Sequence, residues 1–181
     1  MKYNIIYADP PWRYMWSGAE GAAENHYPTM ALPELCRLPV PEISAKDCAL
    51  FLWATFPTLV ESLQLIEAWG FRYKTVAFVW AKQNRKSPTW FMGTGFWTRC
   101  NAEICLLATK GHPKRQARNV RQLIVSPVAE HSRKPDEARR RIVTLMGDLP
   151  RLELFARDTT PGWAVFGNEV ENSIVLEGSA Q

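Results

Sequence analysis

Four consecutive residues near the start of the chain, Asp9-Pro10-Pro11-Trp12, combine a carboxylate, two rigid prolines and a large aromatic ring. They follow an apolar run over residues 5–8, which is typical of a buried strand. The prolines lack backbone N–H groups and have a fixed φ, so the loop is stiff and its carbonyls are free to face a ligand. The set suits methylation of a nucleobase amine, because the carboxylate and a proline carbonyl can accept hydrogen bonds from the amine while the ring stacks on the base. An Asp-Pro pair alone would indicate only a strand that ends in a proline turn.

Such chemistry also needs a site for a methyl donor. S-adenosylmethionine carries an adenine, a ribose diol, a sulfonium and an amino-acid end, so its site needs diol acceptors and a cation for the carboxylate. Residues 153–157 predict a strand that ends in Arg157, and Asn168 and Glu169 follow the next predicted strand. An acid at this point of a Rossmann unit commonly accepts the ribose hydroxyls. The Gly-x-Gly-x-x-Gly fingerprint is absent from the sequence, so this pattern alone gives modest support.

Lys134 stands directly before a predicted helix over residues 135–146. The N-terminus of a helix favours anions, so this lysine is a candidate for binding the donor carboxylate. The alternative is a surface lysine that precedes an N-terminal proline.

A second basic segment, residues 110–121, carries five cations and no acid: Lys110, Lys114, Arg115, Arg118 and Arg121. It is either a phosphate-contacting strip, with Lys114, Arg115 and Arg118 as substrate contacts, or a solvated charged loop. The run Arg139-Arg140-Arg141 is predicted to lie on the solvent face of its helix.

Strand signals alternate with helical patterns along the chain, which predicts an α/β sheet. The strands are predicted over residues 4–8, 49–54, 75–81, 103–108, 152–156 and 163–166. Several are continuously apolar, as in strands that are covered on both faces. One helix is predicted over residues 57–69, with Leu59, Val60, Leu63, Ile66 and Trp69 on one stripe. The other, over residues 135–146, has the stripe Ala138, Ile142, Leu145 and Met146.

Two long loops are predicted, over residues 13–29 and 83–100. The second contains glycines amid Trp90, Phe91, Phe96 and Trp97, which favours a segment that grips a substrate. The alternative is a hydrophobic cluster beneath a surface loop.

Length and composition set the class of protein. The chain has 181 residues, 46% of them apolar, which is enough for one domain over residues 1–176, with a disordered tail over 177–181. The net charge of +4 suits a polyanionic partner. The four cysteines and three histidines are scattered, so neither a metal site nor a disulfide framework is expected. No signal peptide or membrane span is apparent, so we expect a cytoplasmic protein of a bacterial or phage-infected cell.

Taken together, these segments resemble the MT-A-type N(6)-adenine methyltransferases, a group that includes a eukaryotic mRNA adenosine methyltransferase subunit and many phage and bacterial DNA enzymes. The matching stretches occur in family order and cover nearly the whole chain. They are Ala8-Asp9-Pro10-Pro11-Trp12, Leu50-Phe51-Leu52-Trp53, Trp80-Ala81-Lys82, Gly95-Phe96-Trp97-Thr98-Arg99 through Glu103, Lys110-Gly111, Ser132-Arg133-Lys134-Pro135-Asp136-Glu137, Glu153-Leu154-Phe155-Ala156-Arg157 and Gly167-Asn168-Glu169.

The resemblance implies a Rossmann-like S-adenosylmethionine-dependent methyltransferase fold with permuted motif order, in which the acceptor motif comes first and the donor-binding strand last. It implies Asp9, Pro10, Pro11 and Trp12 as catalytic residues. The donor contacts that we predict are Asp9, Lys134, Glu153, Phe155, Arg157, Asn168 and Glu169. The substrate contacts that we predict, besides the basic segment, are Tyr27, Trp80, Lys82, Trp97, Arg99 and Glu103.

The compact size and the first loop look most like the phage and bacterial branch. The hypothesis is therefore methylation of the 6-amino group of adenine in DNA. The alternatives are the same chemistry on RNA or on the cytosine amino group, and a catalytically inactive subunit that binds nucleic acid or a partner. An inactive subunit would be expected to have a degraded Asp-Pro-Pro-Trp motif, and here it is intact. The oligomeric state, monomer or homodimer, is left open.

Overall fold

The computed structural model describes residues 1–13, 29–95, 97–129 and 133–176. The strands are β1 Tyr3–Ala8, β2 Ser44–Ala54, β3 Arg72–Gln83, β4 Ala102–Lys110, β5 Leu123–Pro127, β6 Arg151–Leu154 and β7 Ala164–Phe166. The helices are α1 Leu32–Cys36, α2 Val40–Ile43, α3 Leu59–Ala68 and α4 Asp136–Met146, and a 3-10 turn over Phe56–Thr58 precedes α3.

The seven strands form one sheet in the order β5-β3-β4-β2-β1-β6-β7. Strand β4 runs antiparallel to both of its neighbours, and all other adjacent pairs are parallel. Six strands therefore end on one side, where β4 begins. We call this side the carboxyl end of the sheet and the opposite side the amino end. The α/β class predicted from the alternating patterns is confirmed.

Both faces of the sheet are covered, as the continuously apolar strands predict. Residues of β1 and β2 alternate between two cores, because successive side chains of a strand point to opposite faces. Ile6, Leu50 and Leu52 lie on the face covered by α1 and α3. Tyr7, Phe51 and Trp53 lie on the face covered by α4, together with Ala138, Ile142 and Met146.

Some elements differ from the prediction. Strand β5 and the short helices α1 and α2 were not predicted, because β5 alternates exposed and buried residues ahead of a proline and the two helices have only five and four residues. On α3, Val60 is exposed and Leu65 takes a buried position, so the predicted stripe is partly wrong.

The prediction that Arg139, Arg140 and Arg141 share a solvent face is also wrong, because Arg139 is buried. Of the three, only Arg140, whose side chain is 76% exposed, lies on the solvent face as predicted.

Within the described ranges, no helix is long and apolar enough to cross a membrane. The same part of the chain contains no group of three or more residues suited to hold a metal ion. All four cysteines are free thiols, and Cys48 and Cys105 are buried. The predicted tail over residues 177–181 lies outside the described residues.

Candidate active site

Asp9 lies at the carboxyl end of β1, where the chain leaves the sheet in a tight turn. The N–H of Trp12 donates to the Pro10 carbonyl at 2.9 Å, and the N–H of Met30 donates to the Pro11 carbonyl at 2.8 Å. These bonds fix the loop because the prolines themselves have no N–H to donate. The Pro10 carbonyl keeps one lone pair for a further donor.

A line of four alternating charges crosses the carboxyl end of the sheet, and we call it the charge row: Lys82, Glu103, Lys134 and Asp9. Lys82 Nζ donates to Glu103 Oε1. Lys134 Nζ lies 3.2 Å from Glu103 Oε2 and 2.8 Å from Asp9 Oδ2. The row therefore connects the ends of β3, β4 and β1 with the segment that leads into α4.

The partners in the charge row decide which members carry charge. Burial alone would lower the pKa of Lys134, but the carboxylates of Asp9 and Glu103 outweigh burial and raise it. Burial alone would raise the pKa of Glu103, but Lys134 and Lys82 outweigh burial and lower it. Lys134 is therefore cationic and Glu103 anionic at neutral pH. The alternative of a surface lysine is wrong, because the Lys134 side chain is only 10% exposed.

Aromatic rings form the floor beneath the charge row. Lys134 Nζ stands 5.7 Å from the ring centroid of Trp53. Trp53 Nε1 donates to the Tyr7 hydroxyl at 2.6 Å, and burial raises the pKa of Tyr7 well above its ordinary value, so this acceptor stays neutral. Sequence reasoning did not single out Trp53 or Tyr7 as parts of the site, although both lie in its apolar strands.

Trp80 belongs to this floor rather than to a binding surface. It is 2% exposed, packs edge-on against Trp53 and donates its indole N–H to the Ser126 carbonyl at 3.2 Å. The substrate contact predicted for Trp80 is therefore wrong, because its ring is buried in the floor of the site. Trp12 lines the cleft above but is itself only 7% exposed, so little of its ring is open for stacking on a base.

A buried ion pair connects α4 to β6 on the same face. Arg139 donates to both carboxylate oxygens of Glu153, with Nε 2.7 Å from Oε2, and it also donates to Asp136 at 2.9 Å. Its guanidinium lies 5.4 Å from the ring centroid of Tyr7. The carboxylate of Glu153 is therefore engaged by protein, which differs from the donor contact predicted for it. No local pattern indicates this pair, since Arg139 sits in a run of three arginines.

Beyond β6, the chain approaches a second segment very closely. Phe155 has a φ of 62°, in the left-handed region, and Arg157 Nε lies 3.8 Å from Glu169 Oε1. A Cβ on Gly167 would stand 2.0 Å from the Ala156 carbonyl oxygen, so only glycine fits there. Asn168 and Glu169 are exposed beside this approach.

These parts border an open cleft. Its lining includes the four motif residues, with two cations and a second acid facing them: Asp9, Pro10, Pro11, Trp12, Trp53, Ala54, Thr55, Glu103, Lys134 and Arg157. The side chains at this site fit S-adenosylmethionine, because Lys134 matches its carboxylate, Asp9 matches its sulfonium, and Arg157 and Glu169 match its ribose diol.

The predicted nucleic-acid contacts fall into two places. Trp97, which is 98% exposed, and Arg99, also exposed, lie in the loop over residues 83–100, which starts and ends at the carboxyl end of the sheet. The basic segment instead begins where β4 ends, at the amino end, and Gln116 donates to the Leu145 carbonyl at the last turn of α4. Lys114, Arg115 and Arg118 are exposed there. Tyr27 lies outside the described residues.

Comparison with known proteins identifies the family of this chain. The family model MT-A70 matches residues 3–169. Type II methyltransferase M.MunI of Mycoplasma sp is 40% identical over 192 residues, which covers 95% of this chain and 79% of that protein.

Eukaryotic relatives match over only part of their own length. The N(6)-adenosine-methyltransferase MT-A70-like protein of Arabidopsis thaliana is 33% identical over 97% of this chain and 25% of its own. The human N(6)-adenosine-methyltransferase catalytic subunit METTL3 is 29% identical over 97% of this chain and 30% of its own. The resemblance predicted from the motifs is confirmed, and this chain belongs to the MT-A70 family.

Proposed function

We propose that this chain transfers the methyl group of S-adenosylmethionine to the 6-amino group of adenine in DNA. The observation that carries the proposal is the placement of Asp9 at the cleft, beside the Pro10 carbonyl and in contact with Lys134, with Arg157 in the same lining. The predicted enzyme class, an adenine-specific methyltransferase, is confirmed by the family match and by the methyltransferase relatives.

The acceptor base is held by two oxygen acceptors. The Asp9 carboxylate and the open lone pair of the Pro10 carbonyl accept hydrogen bonds from the 6-amino group. These bonds turn the nitrogen lone pair toward the donor side of the cleft, which is catalysis by positioning and electrostatics. An aromatic amine is nearly non-basic, so Asp9 need not remove a proton before transfer.

The donor is held by residues on the α4 and β6 side. S-adenosylmethionine supplies an electrophilic methyl group when it is bound. Lys134 binds its carboxylate, and Arg157, Asn168 and Glu169 bind near its ribose and adenine. Phe155 and Gly167 bring these two segments together. We also propose that the motif order of the fold is permuted, with the acceptor motif ahead of the donor-binding strand.

We favour DNA because the relative M.MunI, a type II methyltransferase, is matched over 79% of its length, whereas the two eukaryotic relatives are matched over 25% and 30% of theirs. The second candidate is RNA, which the N(6)-adenosine-methyltransferase relatives support. The loop over residues 83–100 contacts either nucleic acid through its exposed Trp90, Trp97 and Arg99, since exposed rings and cations beside a cleft suit bases and phosphates. We also propose that the protein acts in the cytoplasm of a bacterial cell, which the bacterial relative M.MunI of Mycoplasma sp supports.

The decisive experiment measures transfer from labelled S-adenosylmethionine to matched duplex DNA, single-stranded DNA and RNA. The proposal expects label in DNA that is recovered as N(6)-methyladenine after digestion. Label recovered only from RNA would support the second candidate. Label recovered as methylcytosine, or no transfer to any of the three, would contradict the proposal.

A further inference from the structure

Lys82 is the one cation of the charge row to which the proposed reaction gives no role. It reaches the row from β3, and Nζ donates to Glu103 Oε1. The second oxygen of Glu103 faces Lys134 at 3.2 Å. The ring of Trp80 lies against Lys82, with 4.9 Å between Nζ and the ring centroid. Lys82 is therefore enclosed by protein on two sides, which differs from the substrate contact predicted for it.

We infer that Lys82 is a positioning residue, which holds Glu103 as a fixed carboxylate so that Glu103 in turn holds Lys134 beside Asp9. The inference rests on the proposed function, in which Asp9 binds the amine and Lys134 binds the donor. Each oxygen of Glu103 has one lysine partner, so the carboxylate plane is set from both sides. With one lysine absent, the carboxylate is free to turn toward the other.

Charge balance gives the same result. The row contains two anions and two cations, so its net charge is zero at neutral pH. Loss of Lys82 would leave one net negative charge in a buried place, and a buried charge without a partner is strongly unfavourable. Burial raises the pKa of Glu103, and Lys134 and Lys82 together reverse that effect. Without Lys82, the pKa of Glu103 should therefore rise.

Other groups around Glu103 do not replace Lys82. Asp9 at the end of β1 is an anion, and the Cys105 thiol on the same strand is neutral because burial raises its pKa. From β2, Trp53 pairs with Cys105, two residues along β4 from Glu103, and its indole is neutral. Arg157 lines the same cleft from beyond β6 but is placed on the donor side. Lys134 remains as a cation beside Glu103, but it also forms an ion pair with Asp9.

The first test is the pH dependence of kcat/KM for methyl transfer to DNA, in Lys82→Met and Lys82→Arg. We expect Lys82→Met to lose about tenfold or more at neutral pH and its acid limb to move up by about one pH unit. Lys82→Arg should restore most activity, because it keeps the cation. The control is Arg140→Met, which removes an exposed cation of α4 outside the charge row. An acid limb of Lys82→Met that coincides with that of the wild type would overturn the inference.

The second test asks whether Lys82 acts through Glu103. We compare Glu103→Gln with the double variant Lys82→Met/Glu103→Gln, since groups in one network are not additive. If Lys82 acts through Glu103, the double variant should be no worse than Glu103→Gln alone. Losses that multiply would refute the inference. The double variant can be compared with Glu103→Gln even if Lys82→Met does not fold. It has a neutral glutamine at position 103, so removal of Lys82 leaves no unpaired carboxylate there.

A third measurement separates the inference from the proposed function, because it needs neither donor nor nucleic acid. The lowered pKa of Glu103 contributes stability above the unfolded pKa, and that stability is lost as pH falls through the lower folded value. The Tm difference between wild type and Lys82→Met should therefore be larger at pH 7 than near pH 4. This pattern in a protein that methylates nothing would refute the proposed function and support the Lys82–Glu103 coupling. Equal Tm differences at both pH values would overturn the coupling.

Discussion

The two ends of the sheet carry charge in opposite ways. At the carboxyl end, Lys82, Glu103, Lys134 and Asp9 are largely buried, and each contacts an opposite charge. At the amino end, Arg72 and Lys74 are exposed beside an open groove, and the basic segment begins there. Buried pairs interact in a low dielectric and hold one geometry, whereas exposed charges are screened by salt within roughly 10 Å. The carboxyl end is thus organised for positioning and the amino end for diffuse attraction.

Distance strengthens this contrast. Lys110 lies five residues along β4 from Cys105, which pairs with Trp53 beside the site. At about 3.3 Å per residue, the basic segment starts roughly 17 Å from the level of Asp9. A flipped base in the cleft and the phosphates on the basic segment would belong to different parts of the nucleic acid. The loop over residues 83–100 is much closer to the site.

The largest effect is expected from the buried ion pair under the carboxyl end. Arg139→Met should lower the free energy of unfolding by about 3–5 kcal/mol, because it leaves Glu153 buried without its cation. Arg140→Met, on the next residue of the helix, should change it by less than about 0.5 kcal/mol. Urea denaturation followed by circular dichroism measures both. Equal effects of the two substitutions would break the contrast between buried and exposed charge.

Removal of the acceptor carboxylate comes next. Asp9→Ala should reduce kcat by about 10²–10³, the range for loss of one oriented polar group, while circular dichroism shows an intact fold. Asp148→Ala serves as the control, since Asp148 is an exposed acid ahead of β6. Wild-type turnover by Asp9→Ala on its substrate would remove the basis of the proposed site.

The donor cation is expected to have a smaller effect, and it sharpens the comparison. Lys134→Met should weaken binding of S-adenosylmethionine by about 1.5–3 kcal/mol, the range for a hydrogen bond to a charged group. Because Lys134 lies between Asp9 and Glu103, Tm without donor should fall as well. Calorimetric titration with Lys46→Met as the exposed control measures the affinity. Unchanged donor affinity would leave Lys134 with a purely structural role.

The smallest effect per residue is expected at the amino end. Replacement of Lys114, Arg115 and Arg118 by glutamine should weaken binding to all DNA sequences alike. It should also flatten the plot of log affinity against log salt, by up to about 0.9 for each phosphate of duplex DNA that the variant no longer neutralises.

A second variant, with Lys86 and Arg99 replaced by glutamine, reports on the loop at the carboxyl end. If only the loop variant changes the slope, the basic segment is a solvated loop and the nucleic acid lies along the carboxyl end.

Much of the fold is predictable from the sequence because the central strands are continuously apolar. Strands such as β1 and β2 are buried on both faces, and that condition leaves a direct trace in residue type. Strand β5 is different, because only Ile124 is fully buried while Leu123 and Val125 are exposed at the edge of the sheet. An edge strand of five residues has too little burial to distinguish it from a loop.

The site was predictable where one segment carries several of its groups, as at Asp9-Pro10-Pro11-Trp12. It was not predictable where partners are distant in sequence. The contact between Lys134 and Asp9 joins residues 125 positions apart, and the pair of Arg139 with Glu153 joins a helix to a strand. No local pattern contains such pairings, because they are made by the order of strands in the sheet.

The position of β1 in the sheet has a consequence for how the chain folds. Strand β1 lies between β2 and β6, and Ala8 pairs with Leu52 on one side and Leu154 on the other. During synthesis, β1 therefore keeps an open hydrogen-bonding edge until residues 151–154 have left the ribosome. Parallel pairings of such high sequence separation fold slowly, and an unpaired apolar strand invites association with other chains. We expect nascent chains that stop before β6 to need chaperones, and the cleft beside Asp9 to be completed late in folding.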